Sequence, residues 1–263
     1  MADNGSPTAI GPAQLLEMLR HRRSSRTGYI ENKAVTDQQI ELILEAARAA
    51  PSAGNAQPWE FIVIRDRDTR YHIAELFKRQ LRDKLDIERS IRHSTKVGAS
   101  LGWRMAPVLI LVLGDPRTAM CFPLRTREDK AESHFFSSLA NATLQMMLMA
   151  ECLGLGSQYV SDAASPYFSL MLKHFLDVPD ELRVYHLVPI GYISVAAAAN
   201  ARRPLESMVH YERYDRRKQR TTEDLTRFMQ QDSIQAKSYR WGGSKPTASG
   251  KKPKRVRRAS EVT

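Results

Sequence analysis

The sequence predicts an α+β protein in which a mixed central sheet is flanked by helices, and three stretches carry that expectation. Pro107-Val-Leu-Ile-Leu-Val-Leu113 is apolar without alternation, the pattern of a strand covered on both faces and therefore lying mid-sheet. Ser133 to Leu153 spreads Phe135, Phe136, Leu139, Leu144, Met146, Met147, Leu148 and Met149 around most of a helical circumference. Such a helix must be buried on several sides, which in a chain of 263 residues suggests a core helix shared with a second subunit. Between them in importance is Pro51-Ser-Ala-Gly-Asn-Ala-Gln-Pro-Trp59, where a helical pattern enters and a strand pattern leaves. Ser52, Asn55 and Gln57 there can all hydrogen-bond a planar polar ligand, which makes the stretch a candidate binding loop.

Taken in order, Ala13 to Arg23 places Leu15, Leu16 and Leu19 at helical spacing and ends in Arg22-Arg23-Ser24-Ser25-Arg26. Those guanidiniums have two readings: complements to the negative end of the helix, or forks for a phosphate. Thr36-Asp37-Gln38-Gln39 is a capping box, followed by Ile40, Ile43, Leu44 and Ala47 on one face and a stop at Pro51. Glu60 to Arg65 reads as a strand, and Thr69 to Ile91, with Ile73, Leu76, Phe77, Leu81 and Leu85, as a surface helix. Asp115 to Lys130 is a polar connector long enough for a lid or a reach to a partner. Gly154-Leu155-Gly156 follows a helix, so it fails the strand-first requirement of a dinucleotide fingerprint. Gly156 to Ser161 is a short strand; Ser165-Pro166 caps a helix through Phe175. His186 to Tyr192 is a strand in which Pro189 points to an edge or a bulge. Ala201-Arg202-Arg203-Pro204 is a second basic cluster that could converge with the first on one phosphate, and a modest helix covers Thr222 to Met229.

Hydrophobic residues make up 42% and charged residues 26%, as in soluble globular proteins, and no apolar run approaches the roughly 20 residues of a membrane span. Met1 to Pro12 lacks a basic region leading into an apolar one, so a cytoplasmic location is expected. The net charge of +11 is concentrated beyond residue 201: 17 lysines and arginines stand there against seven acidic residues, leaving 23 against 22 before it. Ser244 to Thr263 holds seven basic residues, one acidic residue and almost nothing apolar, so it is expected to be disordered. It reads either as a solvated tail or as a weak contact for a polyanion or membrane surface. Cys121 and Cys152 have no spaced partner, and read as small, reduced, partly buried hydrophobes. The seven histidines are dispersed, no metal site is expected, and HExxH and P-loop motifs are absent. An enzyme of this composition must draw its hard chemistry from a bound cofactor.

Arg22-Arg23-Ser24-Ser25-Arg26, Ala50 to Trp59 before a strand, Leu187-Val188-Pro189-Ile190-Gly191-Tyr192 and Arg202-Arg203-Pro204-Leu205 together resemble the FMN-dependent nitroreductase superfamily, over about residues 13 to 217. The resemblance implies an intertwined homodimer with two FMN sites at the subunit interface. The chain then divides into an N-terminal arm (1–12), an FMN-binding domain (13–217), a C-terminal extension (218–243) and the basic tail (244–263). It implies that Arg22 and Arg26 approach the phosphate and flavin edge, with Arg23 in the same cluster and Ser24 on the phosphate or ribityl chain. Pro51, Ser52, Asn55 and Gln57 reach the flavin from the other subunit, and Arg202 and Arg203 close on the phosphate. Gly191 and Ser161 join the cofactor-binding set, and the backbone near Val160, Ser161 and Asp162 lies against the reactive side of the ring, where the family commonly has a Gly-containing segment. No catalytic side chain is implied. NAD(P)H would pass a hydride through flavin N5 to an electrophilic small-molecule acceptor such as a nitroaromatic or quinone. Phe122, Trp103, Tyr167 and Phe168 are aromatic candidates for the acceptor pocket. Reductive dehalogenases share the fold. Two further readings stay open: a flavin-binding accessory or nucleic-acid-associated protein acting through the basic tail, and oxygen-dependent fragmentation of FMN to a benzimidazole.

Overall fold

A computed structural model describes residues 10–92, 101–195, 197 and 199–231; the expected basic tail from Ser244 lies outside them. The chain forms two compact units, Met1–Asn200 and Ala201–Thr263. The first contains, in order, α1 (Pro12–His21), α2 (Asp37–Arg48), β1 (Trp59–Ile64), α3 (Arg67–Arg92), β2 (Val108–Gly114), α4 (Leu124–Cys152), β3 (Gly156–Ser157), α5 (Pro166–Phe175) and β4 (Arg183–Gly191). The second contains α6 (Thr222–Gln231). Local sequence explains several of these boundaries. Thr36 Oγ1 accepts the Gln39 N–H at 3.2 Å while Gln39 Oε1 accepts the Thr36 N–H at 3.0 Å, so both orphan donors at the start of α2 are satisfied as the capping box requires. The connector after β2 is shorter than expected. A 3-10 turn, Pro116–Cys121, capped by Asp115, takes up its first half, and its charged second half is already helix, which makes α4 29 residues long.

The sheet runs β1-β2-β4-β3, and every pairing between these strands is antiparallel. The mixed character expected of it is confined, among the described residues, to a parallel bridge that adds Ser24 beside Ser157. β2 is buried at all seven positions because helices cover both faces. On one side Leu109, Leu111, Leu113 and Leu187 pack with Ile73 and Phe77 of α3, Phe168 and Leu172 of α5, and Trp103. On the other, Val108, Ile110, Val112, Val188 and Ile190 pack with Ile43 of α2 and Leu139 and Met146 of α4. Alternation along each strand distributes its side chains to the two cores, so a continuous apolar run serves both at once.

Pro189 sits inside β4, between β2 and β3, and not on an edge. Its effect is on β3: Ser157 pairs with Ile190, the ladder stops at the proline, which has no N–H to donate, and a single bridge resumes it at Val160 and Leu187. The strand expected over Gly156 to Ser161 is therefore only two residues long, and Gln158 and Tyr159 lie outside it.

The register between β2 and β4 shifts once, so that Val112 pairs with His186 and Leu113 with Val184, leaving Tyr185 as the inserted residue. The insertion brings Tyr185 and His186 together, with ring centres 3.8 Å apart, and Tyr159 lies 3.5 Å from His186. The Tyr159 hydroxyl donates to the Tyr185 hydroxyl at 2.8 Å. Burial lowers the His186 pKa from 6.5 to about 3, so the imidazole is neutral when folded. The unfolded chain binds a proton that the folded one does not between these values. Stability is thus fully present above about pH 6.5 and falls as the pH drops toward 3, by at most about 1.4 kcal/mol per pH unit. Urea titrations at pH 7 and pH 5 are expected to show a smaller acid-induced loss in His186→Phe than in the parent chain. Equal losses would refute a neutral buried His186.

Candidate functional site

The arginine segment is fixed against the outer edge of the sheet. After α1 the chain turns so that Ser25 N–H donates to Ser157 O at 2.8 Å, Ser24 bridges Ser157, and Tyr29 bridges Ile193. Gly156 permits this approach: a Cβ there would stand 2.1 Å from Ile193 Cγ1 and 2.8 Å from Ser25 Oγ. The three arginines separate into two roles. Arg23 Nη1 donates to the carbonyls of Arg20, His21 and Arg22, which closes the end of α1, so its guanidinium serves the helix terminus. Arg22 is half-buried and Arg26 exposed, on either side of Ser24.

The polar loop is held by α4. Its centre, Ala53–Asn55, is a 3-10 turn, and Gly54, Asn55 and Gln57 all have positive φ. Asn and Gly tolerate that region; Gln57 does so with its backbone N–H fixed on Ser52 Oγ at 3.1 Å. Two polar side chains of α4 dock the loop: Asn141 Nδ2 donates to Pro51 O at 3.0 Å, and Ser138 Oγ accepts the Ala53 N–H at 3.3 Å. Phe122 closes the contact, since a Cβ on Gly54 would stand 2.9 Å from its ring. The Asn55 side chain remains exposed, and Gln57 Nε2 reaches only the Asn55 carbonyl, at 3.4 Å. Both amides therefore face outward from a backbone that is pinned.

A third piece is the segment from Ser157 to Ser165. Val160 exchanges backbone hydrogen bonds with Leu187, at 3.0 and 3.3 Å, and Asp162 is held by Lys84 of α3 at 2.9 Å; exposed Ser161 stands between these two fixed neighbours. Gln158 Oε1 is enclosed and has no hydrogen-bond partner. A buried polar atom left unmet is costly unless a bound molecule meets it, so this atom, beside the Ser24–Ser157 bridge, fits a polar ligand against the segment.

Other expected site residues have different work. Gly191 is needed for packing, because a Cβ would meet Pro107 Cδ at 2.5 Å and Tyr29 Cδ1 at 3.2 Å. Trp103 and Phe168 are fully buried in the core and cannot shape a pocket, whereas Tyr167 is exposed. Arg202 and Arg203 fall in the second unit, where Arg203 Nη2 donates to Ser207 O at 2.9 Å and Arg202 Nη1 to Ala201 O at 3.2 Å. Cys121 and Cys152 are both exposed, not partly buried. Among the described residues, no His, Cys, Asp and Glu group is arranged to hold a metal, and no helix is long and apolar enough to cross a membrane. Sequence reasoning missed Ser138, Asn141 and Lys84; the first two were visible as polar interruptions on the apolar face of α4.

Residues 19–192 match the family model of the nitroreductase family. A protein of Archaeoglobus fulgidus provisionally named an NADH dehydrogenase/NAD(P)H nitroreductase is 29% identical over 68% of this chain and 85% of its own length. Iodotyrosine deiodinase 1 of Sus scrofa is 25% identical over 74% of this chain and 68% of its own. Among solved structures, an FMN-dependent nitroreductase of Clostridium difficile R20291 covers 76% of this chain and 99% of that one, with a TM-score of 0.56 at 22% identity, which is a likeness of fold. The docking of the polar loop on α4 is directly testable. Asn141→Ala removes one side-chain hydrogen bond and is expected to cost about 1 kcal/mol in urea unfolding and to speed amide exchange locally at residues 51–57. Unchanged exchange in that loop would show that Asn141 does not hold it.

Proposed function

Because this chain belongs to the nitroreductase family, we propose that it is an FMN-dependent oxidoreductase that moves a hydride from NAD(P)H to an electrophilic small molecule such as a nitroaromatic or quinone. The observation that carries the reading is the pairing of two preformed polar surfaces of complementary chemistry. Arg22, Ser24 and Arg26 lie along the sheet edge, suited to a phosphate and to the anionic edge of a ring system; Ser52, Asn55 and Gln57 lie on a pinned loop, suited to a planar heterocycle. The partnerless Gln158 oxygen adds a third polar point.

FMN, when bound, supplies the two-electron carrier that the side chains lack. The chain's own residues would bind and orient it. Arg22 and Arg26 provide fixed positive charge for a phosphate and for the edge of the ring that becomes anionic on reduction. Asn55 and Gln57 would provide amide donors and acceptors, and the backbone around Val160, Ser161 and Asp162 would back the reacting edge. No acid or base side chain is required, since stacking both partners against one face provides the proximity.

The same reading calls for a homodimer. Asn141, which docks the loop, and Glu151, which bonds His21 Nδ1 at 2.8 Å at the end of α1, are ten positions apart on α4, roughly 15 Å by helix rise. A ligand gripped closely by both surfaces takes Arg22 and Arg26 from one protomer and the partner's Asn55 from the other. Leu15, Leu16 and Leu19 of α1 and Phe136 and Leu144 of α4 are 41–50% exposed, apolar surface that a second protomer would cover.

A second reading, reductive dehalogenation of a halogenated phenol by the same reduced cofactor, is favoured by the likeness to iodotyrosine deiodinase 1. Purified protein is expected to be yellow, dimeric and bleached by NADH or NADPH without oxygen. A colourless chain that takes up no added FMN would refute the proposal. Returning either a nitroaromatic or an iodophenol to the reduced protein and following recovery of the flavin absorbance separates the two acceptors. Asn55→Ala is expected to weaken FMN retention about tenfold without lowering thermal stability, as suits loss of a ligand hydrogen bond. Deleting residues from Ser244 onward is expected to leave turnover intact, whereas the accessory-protein reading requires loss of function.

A further inference from the structure

We infer that Lys84 is a positioning residue for the segment that backs the reacting edge, acting through the Asp162 carboxylate and the Ser165 hydroxyl; this rests on the flavin reading above. Lys84 belongs to α3, and its Nζ donates to Asp162 Oδ1 at 2.9 Å and to Ser165 Oγ at 3.0 Å. The two acceptors frame the 3-10 turn Ser161–Ala164, one inside it and the other immediately after it. One ammonium therefore ties the turn at both places to α3, which shares its core.

The behaviour of Ser165 marks this junction as built around Lys84. It is the N-cap of α5 and is followed by Pro166, the arrangement in which a serine ordinarily accepts an N–H of the first helical turn. Here it makes no such bond. Instead the Phe168 N–H is taken at 2.9 Å by Gln80 Oε1 from α3, and Gln80 is 4% exposed. Gln80 and Lys84 stand four residues apart, hence on one face of α3. Gln80 caps α5 from outside, and Ser165 is freed to join Asp162 under the Lys84 ammonium.

Stability is a poor reason for that exchange. The Lys84 and Asp162 side chains are 42% and 47% exposed, and ion pairs so open to water add little to folding. The consequence is geometric. Val160 is already fixed to Leu187 by two backbone hydrogen bonds, and Tyr159 by its hydroxyl on Tyr185. Lys84 supplies the restraint on the other side of Ser161. Without it Asp162 and Ser165 lose the side-chain restraint they share, while buried Ala163 and the Gln80 bond to Phe168 still hold the backbone beyond them, and Ser165 is at liberty to return to its ordinary capping role. A displacement of the order of an ångström at a reacting centre is enough to slow a transfer by ten- to a hundredfold.

The test uses the full chain loaded with FMN and compares Lys84→Met, Lys84→Arg and Asp162→Asn. Expected for Lys84→Met are an FMN Kd within about threefold of the parent, a rate constant for anaerobic reduction by NADH lowered about tenfold, and restoration of most of that rate in Lys84→Arg. Asp162→Asn should reproduce the defect, and the double variant should be no slower than either single one, because both remove the same restraint. In the flavin-free protein the amides of Ala163 and Ser165 should exchange faster in Lys84→Met, a readout independent of turnover. Flavin-loaded Lys84→Met reducing at the parent rate, or slowing only in proportion to lost flavin affinity, overturns the inference alone. Parent protein that takes up no FMN overturns the flavin reading and this inference with it. If Lys84→Met does not fold, Asp162→Asn carries the same decision.

Discussion

The structure depends on the burial of α4 against the sheet. Leu139, Ala142, Met146 and Ala150 are fully buried against Val108, Ile110, Val112, Val188 and Ile190, so the helix axis is fixed by close packing, where even small shifts open voids. Whatever attaches to that helix inherits its rigidity. The polar loop attaches through Ser138 and Asn141, the end of α1 through Glu151, and the Phe136 carbonyl receives the Tyr185 hydroxyl at 3.4 Å. Polar groups that face outward are thus mounted on backbone that does not move, which is what a preorganised binding surface requires.

The opposite layer does corresponding work with different means. α3 packs its apolar face on Leu109, Leu111 and Leu113, and sends Gln80 and Lys84 to the junction between β3 and α5. It also holds Glu31 through Arg67 at 3.3 Å and Tyr71 at 3.1 Å, so the loop leading into α2 is tied to the same helix. Arg70 is 4% exposed and bonds the Ala106 carbonyl at 2.6 Å, giving a buried charge an acceptor where the chain enters β2. The segment Val160–Asp162 takes one anchor from the sheet, at Leu187, and one from α3, at Lys84.

Patterns carried by contiguous residues were legible in advance. The covered strand at 108–114, the capping box at Thr36, the polar loop at 51–59 and the arginine cluster at 22–26 all appear where the sequence puts them. Features that depend on long-range register were not. A helix begins at Leu124 and not at Ser133 because charged residues that look like connector can form an exposed helical end once the apolar half is anchored. Pro189 is internal and, lacking an N–H, ends the β3 ladder at Ser157. Ser165 has every local feature of a cap and does not act as one, because Gln80, 85 positions earlier, arrives first.

By itself the sequence determined the elements, the sheet's buried strand, and the residue types that suit a phosphate and a planar heterocycle, since each follows from local propensity, periodicity and side-chain chemistry. Tertiary structure alone decided which of those residues were left to face outward. Arg23 is turned into a helix cap, Gly191 into a packing contact, and Trp103 and Phe168 into core, while Asn55 and Ser161 stay exposed. The physical reason is that a hydrogen-bonding or aromatic side chain is assigned by its nearest competing partner, and those partners lie tens of residues away until the layers pack.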